Sequence, residues 1–489
     1  MFALWINVST FLVGTIVFLF AYWYLQRKRL NLPPGPTPLP FLGNLIAIGK
    51  FKDIKEALHQ YWKDYGNIFT IHMGSHPVIV LCGQKMIKDA LVTKGSYFSQ
   101  RPDFLKLTIK FIGDDGIVFD PHQWRLHRKL NLMAVKDAGV GRQSLEERTQ
   151  EEVRALCQEL EKLEGEVVDM KIWLSKALSN VMCSVTLGER MEYSDPKFTR
   201  LMRLVEYALA SSGNDAAIVD FIPNADIIPK IKAQFNEVIK ASEEIMEFIK
   251  ENVEEHKNDF DGDNVRDLID IYLKHNAGND KVTCTVIKEM FQAGSETSGS
   301  TLTWIVVIAA KYPEVQKKCF EQIKETIGLS KSPGNADRNE LPYVEATVME
   351  SLRLKSIFPT ALPHALSEDL HFAGYDLKKG LMVIPFLDSC LHDPEVWPDH
   401  DEFRPERWLD ESGKLSSINP SYIPFGVGRR ACLGEQLAKM EMFIMFASLL
   451  QHFEFYAASD EPVSLEGHLG VTYCPAHPNV KFRKRESDD

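Results

Sequence analysis

Hydrophobic and polar positions follow several patterns along this chain, and the changes of pattern mark its organisation. The first 26 residues carry no charge and are rich in Phe, Leu, Val, Ile and Trp. That is long enough to span a bilayer as a helix. Arg27-Lys28-Arg29 follows at once, and because positive residues favour the cytoplasmic side, the pattern predicts an uncleaved signal anchor with a lumenal N-terminus. A removable signal peptide would want a basic start and a small-residue cleavage site. Pro33-Pro34-Gly35-Pro36, then Pro38 and Pro40, predicts a stiff extended connector. The chain thus reads as an anchor (1–26), a basic stop and hinge (27–45) and a body (46–489).

Within the body, residues 50–70 and 83–95 read as helices around a strand pair near 68–72 and 78–81. Segments 144–164, 168–187, 232–257 and 264–275 carry apolar residues at three and four spacing with charges between, as surface helices do. The stretch 283–310 differs, being apolar on nearly every face in its second half. Such a pattern predicts a helix through the core, where chemistry can be held rigidly. Short strands are expected at 371–386 and near the C-terminus, with a proline-rich irregular stretch before residue 425. No Gly/Ser linker or repeat divides the chain after residue 50, so one large, mainly α catalytic domain with small β-sheets is predicted.

A net charge of -12 removes nucleic acid as a partner, since phosphate binding wants a basic stripe. The eight cysteines show no Cys-x-x-Cys pair, which fits reduced thiols in a cytosolic body. Cys432 alone has a built setting: Phe425-Gly426-Val427-Gly428-Arg429-Arg430-Ala431-Cys432-Leu433-Gly434, followed by an apolar helical run. Glycines on both sides let the backbone pass close to a large flat ligand and leave amides to donate to a thiolate. Gly426-Val427-Gly428-Arg429-Arg430-Ala431 also fits a dinucleotide fingerprint, but no further strand-helix units and no acidic second strand end follow it.

Phe-x-x-Gly-x-Arg-x-Cys-x-Gly matches the haem-ligand loop of the cytochrome P-450 family residue for residue, and the chain resembles that family from anchor to final strands. The resemblance implies haem b with Cys432 as the axial ligand of iron, and Phe425 and Gly434 shaping its loop. It directs Trp124, Arg128, Arg430 and His364 to the haem propionates. In the core helix, Ala293 and Gly294 would leave room above the iron, while Thr297 and Glu296 would deliver protons for O–O cleavage. Glu350, Arg353 and Arg407 would form a buried network under the haem loop. The family usually ends the last of these motifs in Phe, where this chain has Trp408.

Stretches such as Asp337-Arg338-Asn339 and Glu345-Ala346-Thr347 look most like the microsomal steroid 17-alpha-hydroxylase/17,20-lyase group. Phe358-Pro359-Thr360 and residues 202–229 depart from it. The resemblance implies a monooxygenase of the endoplasmic reticulum membrane with a cytosolic catalytic domain. Electrons would come from NADPH through NADPH-cytochrome P-450 reductase, with room for cytochrome b5. A basic patch of Arg125, Lys129 and Lys439 would receive the reductase. Ala293, Ile357 and Val471 would line an apolar slot for a steroid, the alternative being a fatty acid or xenobiotic. A reductase-independent haem-thiolate isomerase or dehydratase would not need the Glu296-Thr297 pair, and a haem sensor would not need a proton relay.

Overall fold

The computed structural model describes residues 31–137, 145–212, 215–275 and 279–485, with Thr10 and Gly14. The expected spanning segment therefore lies outside the described residues but for those two. Among the described residues no helix is long and apolar enough to cross a membrane. The fold is mainly helical with small sheets, and its chain packs as two compact units. The first draws on Met1–Phe104, Phe221–Pro223 and Thr360–Phe386, the second on Leu105–Asp220, Asn224–Pro359 and Leu387–Asp489.

The first unit is built on a four-stranded sheet. Strands Ile68–Met73 and His76–Cys82 form an antiparallel pair, the second runs parallel to Met382–Phe386, and His364–Ala365 closes the far edge. Their Val, Ile and Leu side chains are buried, which explains why the strand pair is legible in the sequence. The adjoining helix is shorter than expected: Ile54–Tyr65 starts where Asp53 accepts from the Glu56 amide and stops at Gly66, whose φ is +84°. The proline hinge is no free connector. The Thr70 amide and hydroxyl donate to the Pro34 and Pro33 carbonyls, and a Cβ on Gly35 would collide with the Thr70 carbonyl.

The second unit is organised by the core helix Asp280–Lys311, capped by Asn279 through the Val282 amide. From Ser298 to Ala310 every side chain is buried, as its all-round apolar pattern predicts. The helix Met170–Thr186 lies against it, and the approach is close because two glycines permit it. A Cβ on Gly294 would meet the Met182 sulfur at 2.4 Å, and one on Gly299 would meet Ser175. Gly294 thus lets the two helices pack closely at Met182. Pattern reading passes over helices Pro196–Ser212 and Pro313–Thr326, whereas Trp124–Asp137 and Pro342–Leu354 show through their motifs and not through a period. The last is buried on all sides, so it has no polar face to betray a period.

Glu350 of that helix gathers the unit's proline-rich segment. Its Oε1 accepts from Arg353 Nη2 at 2.9 Å and Arg407 Nε at 2.9 Å, and its Oε2 from Arg353 Nε at 2.9 Å and Trp408 Nε1 at 3.0 Å. Both Glu350 and Arg353 are fully buried. Arg353 also donates to the carbonyls of Leu391, His400 and Glu402, and Arg407 to those of Pro398 and Asp399. Trp408, the departure from the family pattern, contributes a donor that Phe could not. Trp408→Phe should lower unfolding free energy by about 1–2 kcal/mol, because one carboxylate oxygen loses a hydrogen bond in a dry site. Glu350→Ala should cost about 3–5 kcal/mol by stranding two guanidinium groups. Denaturant titration of both variants checks this, and equal, small losses would place the network among ordinary surface pairs.

Candidate functional site

The Cys432 loop is folded by its own backbone. The Cys432 amide donates to the Phe425 carbonyl at 2.9 Å, and Gly426 and Gly428 take φ of +70° and +86°, values that side chains resist. Three residues beyond Cys432 begins the helix Glu435–His452, so the cysteine sits near the positive end of a helix dipole. Of eight cysteines Cys432 alone is exposed. The residue is exposed overall, while protein crowds its thiol closely. Burial raises its thiol pKa, opposed by the Gly434 amide and the Arg128 guanidinium. Phe425 is half-buried and lies under Lys439, whose ammonium is 5.4 Å from the ring centre.

Trp124, at the start of its helix, is buried with its indole N–H unpartnered among the described residues. The Arg430 guanidinium stacks on that ring at 3.8 Å and donates to the Ile117 carbonyl at 2.6 Å. Arg128 is half-buried one turn on, its pKa lowered by burial and raised by Cys432. An orphaned donor, two guanidinium groups and an exposed thiol in the same unit fit a flat dianionic macrocycle bearing a metal. His364 belongs to the first unit, where it is buried and its Nδ1 bonds the Phe98 carbonyl at 2.6 Å.

On the core helix, Ala293 is exposed and Thr297 half-buried within a run that is otherwise largely buried. Four residues apart, they share a face. Thr297 turns its hydroxyl back onto the Ala293 carbonyl at 2.6 Å. Glu296 looks elsewhere. Its Oε1 accepts from Ser300 Oγ at 2.9 Å and Thr472 Oγ1 at 3.3 Å, and Lys171 Nζ lies 3.6 Å away. The expected acid and hydroxyl therefore sit on one turn but bond to different partners. Lys171, missed in the sequence reading, also reaches surface Glu206 at 3.1 Å. Nothing local to the motif signals a lysine 125 residues upstream.

The C-terminal hairpin bonds to the segments that carry two of the expected slot residues. The Tyr473 amide donates to the Ile357 carbonyl at 2.8 Å, Thr472 reaches Glu296, and Val471 stands half-buried in the turn between Gly467–Leu469 and Tyr473–Pro475. Of the expected basic patch, Arg125 and Lys129 are exposed, but Lys439 is paired inward with Glu435 at 2.6 Å. Arg429, exposed beside the loop, was not foreseen.

In the proton relay that the resemblance implies for Thr297, Thr297→Ala should keep substrate affinity but lower product formed per reducing equivalent consumed. A loss of about tenfold is expected for a removed proton donor, at the low end of acid-base contributions since water can replace it. An unchanged ratio would take Thr297 out of proton transfer.

The chain matches the family described as Cytochrome P450 over residues 33–482. It is 36% identical over 444 residues to cytochrome P450 2G1 of Oryctolagus cuniculus, covering 89% of each chain. Cytochrome P450 2J2 of Homo sapiens is 33% identical, with 97% of this chain and 96% of that one aligned. Cytochrome P450 2B4 of Oryctolagus cuniculus is 35% identical, with 97% and 98% aligned. A cysteine loop held open at a helix start, an unpaired indole donor and likeness along nearly the whole chain converge: this protein belongs to the cytochrome P450 family and is a haem-dependent monooxygenase.

Proposed function

We propose that the protein inserts one oxygen atom of dioxygen into a lipophilic substrate held against Ala293 and Thr297, with NADPH-derived electrons from a flavoprotein reductase. The observation that carries this is the pair Ala293 and Thr297, open within a largely buried stretch of the core helix, in the same unit as the exposed Cys432. Haem, when bound, supplies oxygen activation at its iron. The residues suited to hold it are Cys432 at the metal and Trp124, Arg128 and Arg430 at its carboxylates, with Phe425 and Gly434 shaping the loop. His364 is the remaining member of that proposed set. Thr297 holds a proton at its Oγ1, and the neighbouring Glu296, which accepts from Ser300 and Thr472 and faces Lys171, would join the relay by first taking a proton from that hydrogen-bonded chain. In this reading residues 1–26 anchor the chain in the endoplasmic reticulum membrane with the body cytosolic, and cytochrome b5 is a second electron donor.

For the substrate, we favour a fatty acid or xenobiotic over a steroid, since the relatives named above are cytochromes P450 2G1, 2J2 and 2B4 and not steroid 17-alpha-hydroxylases. The slot of Ala293, Ile357 and Val471 keeps the steroid reading in play, because a rigid skeleton buries apolar area while losing few rotors. Spin-state titration with progesterone, dodecanoic acid and 7-ethoxycoumarin, followed by product analysis, separates the classes. Turnover of progesterone alone would reverse the preference. In the same preparation the reduced carbon monoxide complex should show the red-shifted band of thiolate ligation, and Cys432→Ser should abolish it. A histidine-type spectrum in the unaltered protein would refute Cys432 as ligand.

The exposed cations Arg125 and Lys129 form the proposed docking face for an acidic reductase. Charge reversal at both should slow reduction about tenfold at low salt and flatten its salt dependence, because screening acts on exposed charges. Stopped-flow reduction across an ionic-strength series measures this, and identical rates would remove the patch from the mechanism.

A further inference from the structure

Two charged residues in the core helix have no place in the machinery described so far. Lys288 and Glu289 are both buried. The Lys288 ammonium donates to Ser242 Oγ at 2.7 Å and to the Phe111 carbonyl, and neither partner is a carboxylate. Ser242 itself donates to the same carbonyl at 3.1 Å. Phe111 is the penultimate residue of the helix Lys106–Ile112, so its carbonyl is one of the groups that a helix end leaves unpaired. A cation there also meets the negative end of the helix dipole. At the opposite end, Asp220 accepts from the Leu107 amide at 2.6 Å and from the Thr108 hydroxyl at 2.8 Å. This short helix is held at both ends by charges from other elements.

Glu289 takes up the chain a few residues later. Its carboxylate accepts from the amides of Ile117 and Val118, and a Cβ on Gly116 would overlap it. From the other side Arg430, in the cysteine loop, takes the Ile117 carbonyl. Residues 111–118 are thereby pinned by two successive side chains of one helix and by an arginine next to the haem ligand. Desolvation lowers the Lys288 pKa to about 8 and raises that of Glu289 to about 8, which marks how dry this region is. Groups so costly to bury hold their place only while their partners stay put, so they specify a position more narrowly than apolar contacts would.

Where the pinned segment lies gives it a role. Glu289, Ala293 and Thr297 follow one another at four-residue intervals, so they run along one side of the helix. The backbone at 117–118 is bonded to Glu289, one turn along the helix from Ala293. We propose that Lys288, through Ser242 and the Phe111 carbonyl, and Glu289, through the 117–118 amides, are positioning residues that hold residues 111–118 as a rigid end wall of the substrate chamber and so set how bulky a ligand fits over Thr297. This rests on the open face being the substrate side of a haem site.

The test uses the haem-loaded protein and its Lys288→Met, Ser242→Ala, Glu289→Gln and Glu289→Leu variants. Imidazole and bifonazole are titrated by the nitrogen-ligand spectral shift, and amide exchange is followed across residues 106–120. In Lys288→Met and Glu289→Leu, exchange there should quicken about tenfold as local opening becomes easier. The ratio of bifonazole to imidazole Kd should fall at least about fivefold as the wall yields to the larger ligand. Glu289→Gln, which keeps an acceptor for the two amides, should stay within about twofold of the unaltered protein. Ser242→Ala leaves every charge in place and should quicken exchange at 106–113 alone, which keeps the Lys288 half testable if Lys288→Met loads no haem. Unchanged exchange and an unchanged ratio in both disruptive variants, or equal losses in Glu289→Gln and Glu289→Leu, would overturn the proposal. Failure of the unaltered protein to give a nitrogen-ligand shift would instead sink the haem-site reading, while the exchange data would still judge the clamp.

Discussion

One carboxylate carries much of the second unit's irregular chain. Glu350 satisfies two guanidinium groups and an indole, and those cations in turn satisfy carbonyls between Leu391 and Glu402, a stretch with little regular hydrogen bonding of its own. Such a segment cannot be buried unless its carbonyls find donors, and the two arginines are those donors. Trp408 passes the constraint onward, packing edge-on against Tyr422 at 4.6 Å, three residues before the loop of Phe425 and Cys432. The geometry of the cysteine thus depends on a charge cluster from a different part of the chain.

The core helix shows how one element serves several demands at once. One side offers Ala293 and Thr297 to open space, another admits Met182 against Gly294, and a third directs Glu296 to Lys171 and the C-terminal hairpin. Adjacent residues point about 100° apart, so neighbours in sequence serve different walls. This is why Glu296 and Thr297, side by side in the motif, have no shared hydrogen-bond partner. It is also why Gly294, next to Ala293 in the chain, meets Met182 of the neighbouring helix.

What the sequence made legible was local. The cysteine loop declares itself because glycines, arginine and cysteine fall within ten residues, and the core helix because its burial is uniform over many turns. The strand pair at 68–82 shows through β-branched runs bounded by Gly66 and Gly74. What stayed hidden depends on partners far along the chain: Lys171 for Glu296, Trp408 for Glu350, Phe111 for Lys288. Lys439 looked like a free surface cation until Glu435, one turn back, was seen to hold it. Helix Pro342–Leu354 shows only through its Glu350-to-Arg353 motif, since a helix buried on every face has no amphipathic signature.

The distribution of thiols has a practical corollary. Seven cysteines are buried, and burial raises the pKa of Cys157, Cys319 and Cys390 to about 12, so little nucleophilic thiolate is present on them at neutral pH. Cys432 alone is exposed, its thiol also pushed up by burial so that mildly alkaline conditions suit it, and it is the residue that a prosthetic group would cover. A mild alkylating reagent applied to the folded chain therefore becomes a stoichiometric counter of empty molecules. One adduct per chain reports a polypeptide without its pigment, none reports a fully loaded one, and intermediate values give the loaded fraction of a preparation without recourse to its colour.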